Sequence, residues 1–297
     1  MMKMFKVRPT PSCGALLAVW LSTSLGCAEP PPPPVAAISV ETDRAAVSLG
    51  APLDLHFRFD VLPDLADRPG GDYRVFVHFL DDREQILWTE DHDPPVPTSQ
   101  WAPGQSIEYS RRVKIPMYPY IGESTILAGL YSPRDGTRLA LAGDDIGQRG
   151  YDVAGIRLEP QHESSFVTYG EGWHAAEISD DGRTQWRWTT GRGVLSFRNP
   201  NRDSRFVMEF DGRGDVFEPA QRLSIVIGDR TIEEWEVDTT ETVYVACDIA
   251  ASDLGSEGIV NLELRVDRTF TPADIDGGTP DERELGVRVF YTYFEPL

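Results

Sequence analysis

Cysteine, lysine and catalytic signatures are what this 297-residue chain has least of. Its cysteines are Cys13, Cys27 and Cys247; the first two belong to the N-terminal segment described below, so Cys247 is left alone and no disulfide framework holds the fold. Cys247 lies in the apolar run Val243 to Ile249, where a buried, inert thiol is expected. Lysine occurs only at positions 3, 6 and 114, so nearly every cation is an arginine with a fixed fork of donors. There is no Gly-x-Ser-x-Gly elbow, no His-Glu-x-x-His zinc signature and no phosphate-cradling glycine loop before a helix. His56, His78, His92, His162 and His174 are scattered, and carboxylate pairs are too common in so acidic a chain to single out a hydrolase site. No apolar segment holds a helical period for ten residues or more.

What is present begins with charge. The chain carries a net charge of −20, and removal of Lys3, Lys6 and Arg8 with the leader takes it to −23. Such an acidic surface is repelled by phosphate backbones, which excludes nucleic acid as a partner. Those three cations precede the apolar run Cys13 to Leu25, the order of an export signal. The run is shorter than the roughly 20 residues that cross a bilayer as a helix. Ser24, Leu25, Gly26 and Cys27 then resemble the lipobox of bacterial lipoproteins, although Ser24 stands where leucine is usual. The resemblance implies a signal over 1–26, a diacylated Cys27 and a lipid anchor in the bacterial envelope, on the outer membrane facing the periplasm or the cell surface. An ordinary secretory signal cut near Ala28 is the other reading. Residues 27–34 end in five prolines, Pro30 to Pro34, a polyproline II spacer between the anchor and the folded chain.

The mature chain reads as strands. Leu262, Leu264 and Val266 alternate with Asn261, Glu263 and Arg265; Trp235 and Val237 alternate with Glu234 and Glu236. Period two with one wet face is the mark of a half-buried antiparallel strand. Further strands are expected at 53–59, 73–80, 85–91, 107–115, 125–131, 152–158, 193–198, 206–210, 223–227, 243–249 and 286–294. Gly, Pro and Asp turns between short strands predict an all-β fold of two antiparallel sandwiches, 35–160 and 161–297, divided at the polar stretch Glu159 to Ser165.

In the first region, Tyr73 to Leu80 (YRVFVHFL), Trp88, Pro97 to Gly104 (PTSQWAPG) and Gly129 to Leu139 (GLYSPRDGTRL) follow one another. This order resembles the immunoglobulin-like domains appended to bacterial polyprenyl-phosphate-dependent glycosyltransferases. The second region, with Gly172 and Trp173, Trp186 and Trp188, and Asp281 to Val287 (DERELGV), is similar to the galactose-binding-like jelly rolls of such envelope enzymes. Their catalytic membrane region has no counterpart here. The resemblance implies a non-catalytic accessory protein that binds glycan or supports polysaccharide and glycoconjugate handling. A scaffold subunit of an envelope protein complex and a hydrolase of envelope polymers are the alternatives.

Sugar sites need a flat aromatic face for the apolar side of a ring and polar groups for its hydroxyls. Trp101, in a proline-flanked turn, is the first candidate; there it either presents its face to a ligand or folds back as a plug. Tyr118 and Tyr120 flank Pro119 in a loop and offer a second platform, and Trp88 and Trp173 complete the set. Trp186 and Trp188 share one face of a strand and are expected in the core. Glu90, Asp91, His92 and Asp93 are the densest group of possible ligands, with Asp91, His92 and Asp93 the candidates for a divalent ion, but an extended chain points His92 away from both aspartates, so a solvated acidic loop is the default. No cofactor is otherwise implied. His78 alternates with Phe76 and Leu80 and is expected to be hydrogen-bonded and largely buried.

Overall fold

In a computed structural model the chain is described for residues 32–64, 69–117, 120–275 and 278–297. Cys27, the signal over 1–26, the start of the proline spacer and Tyr118 lie outside the described residues. Strands dominate, as the alternation requires, and they form four sheets.

Three strands, Ala36–Thr42, Pro52–Val61 and Ser106–Lys114, make one antiparallel sheet with the middle strand in the centre. Facing it is a six-stranded sheet in the order Ala46–Ser48, Gly150–Glu159, Gly122–Tyr131, Arg74–Leu80 and Ile86–Thr89, with Asp145–Gly147 beside Gly150–Glu159. All its pairings are antiparallel except that of Ala46–Ser48 with Gly150–Glu159. Leu53, Leu55, Phe57 and Phe59 of the first sheet close on Val75, Val77 and Phe79 of the second, all essentially without solvent contact. Each such side chain contributes about 1.5–3 kcal/mol by leaving water.

The remaining two sheets have five strands each. One runs Thr168–Tyr169, Arg192–Arg198, Ile259–Val266, Gln221–Ile227, Arg230–Val237; the other runs Glu177–Ile178, Gln185–Trp188, Arg288–Pro296, Ser204–Asp211, Val243–Ile249. The chain passes back and forth between them, so hydrogen-bonded neighbours are mostly far apart in sequence, as in a jelly roll. Leu195, Phe197, Leu223, Ile225 and Leu262 meet Phe206, Met208, Phe210 and Phe294 in a second core. Cys247 is buried there, and burial pushes its thiol up to about 12.

Strand Ser204–Asp211 explains how the two sandwiches are joined. Phe206, Met208 and Phe210 point into the second core, so Arg205, Val207, Glu209 and Asp211 point the other way. Val207 and Tyr293 on this outward face are buried within the first sandwich's core cluster. Around them Lys114 pairs with Glu209 at 2.6 Å, Arg44 with Glu295 at 2.8 Å, and Arg112 stacks 3.6 Å over the ring of Tyr244. The Tyr291 hydroxyl donates to the Gly50 carbonyl at 2.6 Å. Gly50 has φ +82°, and a Cβ there would come within 3.2–3.4 Å of Met117, Gln161 and Tyr293, so glycine is needed for both conformation and space. Residues 34–297 accordingly form one compact unit.

Candidate ligand-binding site

The outward face that seats the first sandwich continues past it and lies open at its other end. Asp211 is the last outward residue of its strand and is in register with Arg288, which in turn faces Trp188. Trp186, two residues back, is in register with Glu177. Four strands thus deliver Asp211, Arg288, Trp188, Trp186 and Glu177 to one patch. Loops carrying Gly212, Arg213, Phe270, Asp281 and Arg283 wall it into a cavity of about 340 Å³, within the size range of small-molecule sites.

Every charge in the cavity is held. Arg288 makes a bidentate pair with Asp211, Nε to Oδ1 at 2.9 Å and Nη2 to Oδ2 at 2.5 Å, and Asp211 is only 3% exposed. The same guanidinium lies 5.4, 5.5 and 5.0 Å from the rings of Trp186, Trp188 and Phe290, so the pair is fixed by aromatic walls. Arg283 donates twice to Asp281, at 2.9 and 2.7 Å, and once to Glu177 Oε1 at 2.6 Å. These bonds pull the Asp281 carboxyl down to about 2. Glu177 Oε2 accepts from the Trp186 indole at 3.2 Å. Arg213 pairs with Asp215 and lies 5.6 Å from the Phe270 ring, which makes an edge contact with Trp188. Beneath Gly212, the fully buried Gln221 donates to the Arg268 carbonyl, and its own Oε1 has no hydrogen-bond partner. Among the described residues the lining contains no serine, cysteine, histidine or lysine. The result is a half-buried indole edged by oriented guanidinium and carboxylate groups, an arrangement suited to holding a polar ring.

Of the residues expected from sequence, the described ones are elsewhere and do not converge. Trp101 folds back as the plug: a short 3₁₀ turn, Thr98–Gln100, precedes it, the side chain has no solvent exposure, and its Nε1 donates to the Val96 carbonyl at 3.0 Å against Phe59. It offers no face to a ligand, because filling the sandwich end removes more apolar surface from water than an exposed turn would. Trp88 is stacked flat on Phe79, 4.1 Å between centroids. The Tyr120 hydroxyl donates to the Glu123 carbonyl and accepts from the Asp82 amide, tying a loop down. Trp173 packs on the second core with its indole donating to the Val194 carbonyl.

The acidic loop does not bring its side chains together. Asp91 Oδ1 accepts from the Val77 amide and lies 3.9 Å from His78, while Asp93 pairs with Arg74. His92 is 4% exposed; its Nδ1 faces the Glu90 carbonyl, which can only accept, so Nδ1 carries the proton and Nε2 accepts from Tyr109 at 2.8 Å. Burial pulls its pKa down to about 4. The three side chains are committed in different directions, and no group of three or more potential metal ligands occurs among the described residues. His78 is largely buried, with its pKa lowered by burial, and its Nε2 lies 3.9 Å from Asp91, beyond the hydrogen bond expected for it.

The cavity residues were missed because Trp186 and Trp188 were expected in the core. The available signal was their shared face together with Arg288, an arginine opening a strand rich in aromatic residues.

No family model and no curated protein matches the chain by sequence. Among solved structures it is similar to the M60 catalytic domain with the CBM51-1 and CBM51-2 domains of Clostridium perfringens ZmpB, at 8% identity over 87% of this chain and 37% of that one, TM-score 0.25. It is also similar to a Bacteroides uniformis β-glucuronidase, at 9% identity over 87% and 30% of the two chains, TM-score 0.27. A carbohydrate-binding module of the β-sandwich superfamily matches at 9% identity over 88% and 99%, TM-score 0.25. The chain spans about a third of the length of the first two.

Proposed function

We propose that this is a lipid-anchored protein of the bacterial envelope whose second sandwich binds a glycan and which performs no chemistry on it. The observation that carries the reading is the open cavity on the outward sheet face. Trp188 supplies an apolar ring surface, and the Arg288–Asp211 and Arg283–Asp281 pairs supply donors and acceptors fixed in direction, the combination that sugar hydroxyls require. The lining carboxylates Asp211, Asp281 and Glu177 are each tied to an arginine, which favours binding over hydrolysis.

The test is a glycan array probed with the mature protein and with Trp188→Ala. Binding that is lost in the variant supports the reading. If no glycan binds, or the variant binds as wild type does, the cavity is not a glycan site. For the anchor, Cys27→Ser is expected to release the protein from the membrane fraction; retention there would remove the lipid.

A further inference from the structure

A second cavity, of about 410 Å³, opens where the two sandwiches meet, and it shares no lining residue with the aromatic one. Its wall holds two buried polar atoms without hydrogen-bond partners, the Tyr293 hydroxyl and Gln161 Oε1. Tyr293 is 3% exposed, and its hydroxyl lies near Ser48 and Ser165. Ser165 spends its proton on the Phe294 carbonyl at 2.6 Å, leaving lone pairs to accept with. His162 accepts from the Ser164 amide through Nδ1, which in the neutral ring leaves a proton on Nε2. Native proteins rarely leave such groups unmatched, and an unmatched group points to an occupant.

The charges describe that occupant. Glu295 is paired with Arg44 at 2.8 Å and Glu163 with Arg198 at 2.8 Å, while Glu159 lies 4.0 Å from Arg157, which also pairs with Glu123 at 2.9 Å. Arg202 is the one arginine of the described lining and is exposed. The wall therefore offers mixed donors and acceptors of little net charge. It has no indole to stack a ring, and the volume corresponds to roughly ten or more waters at about 30 Å³ each.

We propose that the junction cavity is a separate binding site for a neutral, hydroxyl-rich ligand, a sugar unit or polyol, held by Tyr293, Gln161 and Ser48. This does not depend on the aromatic cavity being a glycan site. Because the ligand touches both sandwiches, its binding also locks their mutual orientation.

The test uses the mature chain labelled with ¹³C at methionine methyls. Met117 adjoins Gly50 together with Gln161 and Tyr293, whereas Met208 sits in the second core and serves as control. Methyl α-D-glucoside and methyl α-D-galactoside are titrated, with D-glucuronate as the anionic arm. The proposal expects a saturable shift of Met117 and none of Met208 with at least one glycoside. It expects Tyr293→Phe to weaken that response about fivefold, the size of one lost hydrogen bond, and Trp188→Ala to leave it unchanged. No Met117 shift, a shift that survives Tyr293→Phe, a shift abolished by Trp188→Ala, or a shift with glucuronate alone would each overturn it. Retained Met117 shifts with failure of the array would break only the aromatic-site reading.

Discussion

One face of one sheet is used in two ways. At one end Val207, Tyr291 and Tyr293 are covered by the first sandwich; at the other end Asp211, Arg288 and Trp188 remain open to a cavity. The strands are the same and so is the alternation, so the difference is in the side chains. Valine and tyrosine gain by leaving water, and the few charges at the covered end are rim pairs such as Lys114–Glu209. At the open end each arginine is already neutralised by a carboxylate, which lets the patch stay accessible without attracting a partner surface of either sign. A covered face holds the molecule together, and an open one with its polar groups fixed in place is ready for a small ligand.

The sharpest way to break the comparison is to exchange tryptophans between the buried and the open class. Trp101→Ala should cost about 3–5 kcal/mol, the range for emptying a buried aromatic site, and lower the urea midpoint without a specific effect on ligand binding. Trp188→Ala should do the reverse. Asp211→Ala comes next. It strands Arg288, which is a third exposed, so the loss should be roughly 2–3 kcal/mol, below the full range for a buried pair; thermal melts would report it, together with lost binding. Acid separates the two sandwiches. Burial holds the His92 pKa at about 4, below its unfolded value near 6.5, so its contribution is complete above about pH 6.5 and is lost as pH falls toward 4. Asp281, also depressed, to about 2, contributes above its unfolded value near 4 and loses that contribution only between about pH 4 and 2. Between pH 6.5 and 4 the first sandwich should therefore weaken while the cavity's ion pairs persist, and His92→Gln should flatten the profile in that window. Hydrogen exchange resolved by region would show whether it does. Gly50→Ala should have the smallest effect, about 1–2 kcal/mol from a strained left-handed residue, appearing as looser coupling of the two sandwiches in small-angle scattering.

Most of the strands were legible because their apolar residues alternate: the runs around Leu53, Tyr73, Phe206 and Leu262 all fall in observed strands. Ala36–Thr42 and Ala46–Ser48 were not, since alanine and serine mark neither face strongly. Which of its two readings Trp101 takes was not legible for another reason. Whether a loop tryptophan turns inward depends on an unfilled space at the end of a sandwich, and that space is made by Phe59, far from it in the chain. The cavity was illegible in the same way. Asp211 and Arg288 are 77 residues apart and become a pair only through sheet register.

The central claim is that the open end of the face, and not the first sandwich, meets the glycan. Indole N–H resonances test it directly, since Trp88, Trp101, Trp173, Trp186, Trp188 and Trp235 each report from one place. Titration with a glycan found on the array should shift Trp186 and Trp188 and leave Trp88 and Trp101 unmoved. Shifts confined to Trp88 or Trp101, with Trp188 silent, would contradict the account.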